Sequence, residues 1–177
     1  MKKLFNIICG ISLMFVFFAC TENSEVKITE RSFLTEESVK SFIENNENIL
    51  DEIQTAQNTD SSVMLDANVR YARTVDDLFT VLRKNPQPAT IQKMFRKNGL
   101  DEQTGHLQIA TMKYGIIACI IEETLAEIDG EKRTPIQIES DEKAKQWLNE
   151  IKNHISASDY DLVKKYKTEL YEIFNSL

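Results

Sequence analysis

The chain has 177 residues, 28% of them charged, with a formal net charge of −7. That length suits one domain, and the acidic balance excludes a protein that holds nucleic acid by overall charge. Three cysteines exclude a disulfide-built scaffold, and five glycines leave few loops able to wrap a nucleotide closely.

Residues 1–19 stand apart from the rest. Lys2 and Lys3 make a positive start, and Leu4 to Phe18 is apolar apart from Asn6, Gly10 and Ser12. Ala19 is a small residue at the expected cleavage point, and Cys20 follows it. This is the pattern of a secretory signal, too short for a comfortable membrane span.

The segment Val16-Phe17-Phe18-Ala19-Cys20 resembles the lipobox of bacterial lipoproteins, in the looser form found in spirochaetes among other groups. The resemblance covers only this leader. It implies that Cys20 is acylated on its thiol, freed by cleavage and acylated again on its new amine. It also implies a cell-envelope location and a membrane partner held through the lipid anchor. Thr21 stands where some enteric bacteria use an aspartate for inner-membrane retention, which by the same analogy implies the outer membrane. Each buried methylene contributes about 0.8 kcal/mol, so several acyl chains make such an attachment effectively permanent. Without residues 1–19 the body has 158 residues, with 19 basic against 28 acidic side chains and a formal charge of −9. A body of that charge has no pull toward nucleic acid or an anionic lipid surface.

Residues 20–33 are polar and read as a flexible tether, leaving 34–177 as the folded domain. The first helix is expected from Thr35, which caps it, with Leu34 stapled to Val39. Its apolar face is Val39, Phe42, Ile43, Ile49, Leu50 and Ile53, and Asn45, Asn46 and Asn48 are expected to fray or bend it. A polar turn at 57–62 precedes a second helix over 62–83, with the stripe Leu65, Val69, Ala72, Val75, Leu78, Phe79 and Leu82. Asn85-Pro86-Gln87-Pro88 ends it. Pro88 begins a short third helix to Lys97, closed by Asn98 and a left-handed Gly99.

The centre of the chain is the run Tyr114-Gly115-Ile116-Ile117-Ala118-Cys119-Ile120-Ile121. It sits inside a helix expected over 101–129, with Asp101 as its cap. Leu107, Ala110, Tyr114, Ile117, Ile121, Leu125 and Ile128 make one apolar face, and Ile109, Met112, Ile116 and Ile120 make a second. A helix apolar on two sides is covered on two sides. Gly115 inside the run points to close approach by another helix. Residues 131–139 are expected as an irregular loop, with Pro135-Ile136-Gln137-Ile138 extended. A fifth helix follows from Ser140 or Asp141 to Asn153, with Trp147, Leu148 and Ile151 inward. Ser156 caps the last helix, with Asp159 closing a capping box and Ile155 stapled to Tyr160. The expected fold is all-α: one bundle of five to six helices around a central buried helix near 101–129.

Residues that carry chemistry are sparse. Cys119 lies in the apolar run and reads as a small buried side chain. His106 and His154 each have a glutamate four residues earlier, which does not match the Glu-x-x-His spacing of di-iron bundles. A zinc site needs the fold to join the two histidines with a carboxylate. Glu122 and Glu123 beside the apolar run read as its solvated edge, or as acids with raised pKa values. Arg70, Arg73, Arg83, Lys84, Lys93, Arg96 and Lys97 make a locally basic stretch. It reads as helix-end compensation, or as a docking patch for an acidic partner or an envelope polymer.

Two functions follow. The first is an anchored envelope lipoprotein with a non-catalytic helical body that binds an envelope or host protein or serves an assembly. The second is a periplasmic enzyme or small-ligand binder, with a pocket lined by Tyr71, Tyr114, Trp147 and the Glu122/Glu123 carboxylates. No catalytic, cofactor-binding or metal residues are assigned, and Cys20 is the one site residue, for lipidation.

Overall fold

A computed structural model describes residues 32–59, 63, 74–128 and 133–175. The expected leader, Cys20 and most of the expected tether lie outside the described residues. Among the described residues the fold is all-α, with seven helices. They are α1 (Glu36–Thr59), α2 (Val75–Lys84), α3 (Ala89–Lys97), α4 (Gly105–Glu127), α5 (Pro135–Lys152), α6 (Ala157–Lys165) and α7 (Lys167–Asn175).

Helix α1 starts as its sequence dictates. Thr35 Oγ1 accepts from the Ser38 amide at 3.1 Å, and Ser38 Oγ accepts from the Thr35 amide at 3.0 Å. This reciprocal pair satisfies two amides that a helix start otherwise leaves open. Leu34 and Val39 are both buried beside it. The asparagines do not break the helix. Asn45 and Asn46 turn their amides onto the Ser41 and Ile43 carbonyls, and Asn48 donates to Asn98 across to α3.

The second helix is not continuous over 62–83. Thr74 is extended, at φ −134° and ψ 165°, and its side chain accepts from the Asp77 amide to cap α2. Leu65, Val69 and Ala72 lie outside the described residues. Helix α3 buries Ile91, Met94 and Phe95 as its spacing requires. Gly99 takes φ +76° just past its end, and Leu100 turns back to donate to the Phe95 carbonyl at 2.9 Å. A Cβ at Gly99 would sit 2.4 Å from Ser41 Oγ of α1, so both backbone shape and space demand glycine there.

Helix α4 is buried without a break from Gly105 to Met112, and further along at Gly115, Ile116, Ala118, Cys119 and Ile121. Ile117 and Ile120 are half-buried. It packs against α2, α5, α6 and α7, which covers both of its apolar sides. Asp101 caps the turn before it rather than the helix itself, accepting from the Gln103 and Thr104 amides. A Cβ at Gly115 would lie 2.9 Å from Val163 of α6, so the glycine does mark a close helix crossing.

Two expectations fail at the C-terminal end. Residues from Pro135 onward are helical, not a loop with an extended piece. Thr134 and Gln137 form a capping box, and Pro135 occupies the first turn, where its missing N–H leaves nothing unsatisfied. The last helix divides at Tyr166. The bend brings the Tyr166 hydroxyl to Glu36 at 2.8 Å and stacks Phe174 on Phe42 at 5.5 Å, which fastens α7 to α1.

Candidate functional site

The carboxylate of Glu122, half-buried late on α4, is where several elements meet. It accepts from Lys152 of α5 and from the Tyr160 hydroxyl of α6, the latter at 2.6 Å. Lys164 of α6 stands 3.5 Å away, and its ammonium also lies over the Tyr160 ring at 4.5 Å. One turn of chain chemistry thus ties α4 to two neighbours. Glu123 next to it pairs with Lys167 of α7. Beside these pairs is a shallow concavity of about 440 Å³, lined by Cys119, Glu122, Glu123, Ala126, Lys164 and Lys167.

The electrostatics of the seam decide what it can do. Burial alone would raise the Glu122 pKa, but the bonds from Lys152 and Tyr160 outweigh it and hold the carboxyl below its ordinary value. Glu122 is therefore ionised at neutral pH, the opposite of the proton-loaded acid that an apolar wall would make. Burial pushes the Cys119 thiol up, and Glu122 adds to that, against smaller opposing effects from Tyr160 and the nearby lysines. A protonated thiol is a poor nucleophile. Burial and the bond to Glu122 likewise push the Tyr160 hydroxyl far up. The arrangement ties helices together, with Glu122 ionised and Cys119 protonated.

Of the residues of the expected pocket, Glu122 and Glu123 line this concavity and Tyr114 and Trp147 are not among its lining. Tyr114 sits edge-on against Phe79 of α2, with ring centroids 5.8 Å apart, and does not line the concavity. Trp147 is half-buried on α5, and Tyr71 lies outside the described residues.

The two histidines do not meet either. His106 is buried at the start of α4 and bonds the Leu82 carbonyl at 2.9 Å. His154, just past the end of α5, lies between Asp76 at 3.0 Å and Arg83 at 3.2 Å. Among the described residues no three His, Cys, Asp or Glu side chains are placed to hold a metal ion.

The basic stretch is partly neutralised. Arg96 pairs with Glu102 at 3.2 Å and Lys97 with Glu52 at 3.6 Å, while Arg83 is turned in to His154. Arg70 and Arg73 lie outside the described residues.

Asp159 carries a role its spacing did not announce. Ser156 Oγ accepts from the Asp159 amide at 3.1 Å, as a cap should. The Asp159 carboxylate does not return the bond. It is fully buried and accepts from Ser32 Oγ at 2.6 Å and from the Phe33 and Leu34 amides at 2.9 Å each. Gln108 of α4 donates to the Phe33 carbonyl at 2.9 Å on the other side.

No helix among the described residues is long and apolar enough to cross a membrane. No protein-family model matches the chain, and neither does any curated protein or solved structure.

Proposed function

We propose that the protein is a membrane-anchored bacterial envelope lipoprotein whose helical body is non-catalytic and serves protein binding or assembly. The observation that carries this reading is the leader: Lys2-Lys3, the apolar stretch from Leu4 to Phe18, and Ala19 before Cys20. In this reading Cys20 bears the acyl chains, and the acidic body stands in water beside the bilayer, at the outer membrane.

Two features of the body support it. Asp159 fastens Ser32, Phe33 and Leu34, so tension on the chain ahead of Ser32 enters the body at a buried, fully bonded carboxylate. Cys119 is buried in packing, and Glu122 is engaged by the Tyr160 hydroxyl, Lys152 and Lys164. The ligand-binding alternative would draw on the concavity beside Glu122 and Glu123, whose lining does not include Tyr114.

The test is metabolic labelling with a fatty acid in a cell that lipidates exported proteins. The native chain takes up label, and Cys20→Ala abolishes uptake and yields a soluble or precursor form. Equal labelling of the two chains rejects the anchor. Crosslinking from intact cells, with protease shaving, then identifies the partner and the side of the membrane on which the body sits.

A further inference from the structure

The chain has two histidines, and both hold the same ten-residue helix, α2. His154 reaches it from the end of α5, and His106 reaches it from the start of α4. Asp76, Phe79 and Arg83 lie three and seven residues along one face of α2, and all three close on His154. Its ring stacks on Phe79 with centroids 5.0 Å apart and planes 3° from parallel.

The partners set the protonation of each ring. A guanidinium only donates, so His154 Nδ1 accepts from Arg83 and Nε2 carries the proton that goes to Asp76. A carbonyl only accepts, so His106 Nε2–H donates to Leu82. Both rings are therefore neutral in the closed structure. A second proton would fit neither. On His154 it would put an N–H against the Arg83 N–H, cation facing cation. On His106 it would charge Nδ1, which is buried with no hydrogen-bond partner.

We propose that His106 and His154 form an acid-sensitive clasp, closed on α2 while both rings are neutral and opened when they are protonated. Burial, helped at His154 by Arg83, lowers both pKa values below the ordinary 6.5. The released state then binds more protons than the closed one as pH falls. The hold on α2 is complete above 6.5 and is lost as pH falls through the lowered values.

The other charges near the rings set the window. Asp101 and the Leu82 bond oppose the shift at His106, and Asp76 opposes it at His154, without reversing either. Glu150 of α5 faces Asp76 and is pushed up by burial and by that carboxylate. Its protonation relieves Asp76 and works against opening. Neither histidine bonds, pairs or stacks with a residue of α6 or α7, and Glu122 stays ionised to below 4.5. Mild acid therefore frees α2 and leaves the rest packed.

Hydrogen exchange of the full-length chain in non-ionic detergent, read by mass spectrometry, tests this at about pH 7.5 and about pH 5.5, either side of the ordinary imidazole value. With times scaled to the intrinsic rate, α2 amides should lose protection by about tenfold or more, the effect of one pKa unit. Amides of α4 and α6 should not change. Unchanged α2 protection overturns the proposal, and so does an equal loss across α4 and α6. The His106→Gln/His154→Gln chain keeps donors and acceptors without the titration, and its α2 protection should be flat with pH. A retained loss in that chain overturns the clasp. Should it fail to fold, the native chain decides by ring ¹⁵N titration beside α2 exchange: a rise in α2 exchange that tracks ring titrations with midpoints below 6.5 upholds the clasp, and rings that titrate without it, or a midpoint at or above 6.5 for either ring, overturn it.

Discussion

Gly115 of α4 faces Val163 of α6 so closely that a Cβ on the glycine would lie 2.9 Å from Val163 Cγ2 and 3.0 Å from Cγ1. Val163 is fully buried and, being β-branched, has little freedom to turn away. Gly115→Ala therefore sets a helix-propensity gain of about 1 kcal/mol against overpacking of about 1–3 kcal/mol. The expected outcome is a net loss of stability in urea unfolding. Adding Val163→Ala to Gly115→Ala should cost less than Val163→Ala costs alone, because the new methyl fills part of the space. Additive effects of the two changes would show that the helices do not cross here.

Asp159 is the next point of attack. Asp159→Ala removes the acceptor of the half-buried Phe33 amide and of the buried Leu34 amide, and an unsatisfied buried donor costs about 1–3 kcal/mol. Asp159→Asn keeps one acceptor oxygen and should lose less. Urea unfolding gives the ranking native, Asn, Ala. Exchange at the amides of residues 33 and 34 should rise in both variants while α4 stays protected. Equal stability of the native and alanine chains would mean the N-terminal segment is not fastened there.

Glu122 gives a prediction with a pH sign. Its folded pKa is depressed, so its contribution is present above the ordinary value of 4.5 and is lost as pH falls through the lowered folded value. Glu122→Gln should destabilise the chain at neutral pH by about 1–2 kcal/mol, the range of a hydrogen-bonded charge that is partly exposed to water. The difference between the two chains should shrink steadily as the pH falls below 4.5. A difference that stays constant with pH would show that the loss comes from packing, not from the ion pairs.

These residues also show what could be read without coordinates. Gly115 could, because a glycine inside an apolar helical run has few explanations other than a crossing. The Thr35 cap, the Gly99 turn and the buried Cys119 were legible for similar local reasons. Asp159 was half legible. Its amide goes to Ser156, three residues away, but its carboxylate goes to Ser32, 127 residues away, and no local spacing encodes that. Glu122 is half legible for the same reason, its sequence leaving a solvated edge and a raised pKa both open. Its apolar neighbours in sequence do not decide between them, and the lysines that lower its pKa come from α5 and α6. His106 and His154 are unremarkable alone, and their shared target on α2 exists only in the fold.

The start of α5 is legible in residues other than the alternating ones, and it supplies the last prediction. Pro135-Ile136-Gln137-Ile138 alternates as a strand would, yet Ile136 is 81% exposed and Ile138 48% exposed, so the alternation answers to no buried face. The informative residues were Thr134 and Gln137, three apart around a proline that favours the first helical turn. Thr134 Oγ1 and Gln137 Oε1 satisfy each other's backbone amides at 3.4 and 2.9 Å. Thr134→Ala should cost about 1 kcal/mol, the ordinary effect of losing a cap. The loss should be local, because Arg133 and Asp141 still bridge this turn through a two-pronged ion pair as short as 2.8 Å. Exchange should quicken at residues 135–138 and hardly change at Trp147 and Ile151, where α5 meets the core. Even exchange along the whole helix would mean that the cap does not define where α5 begins.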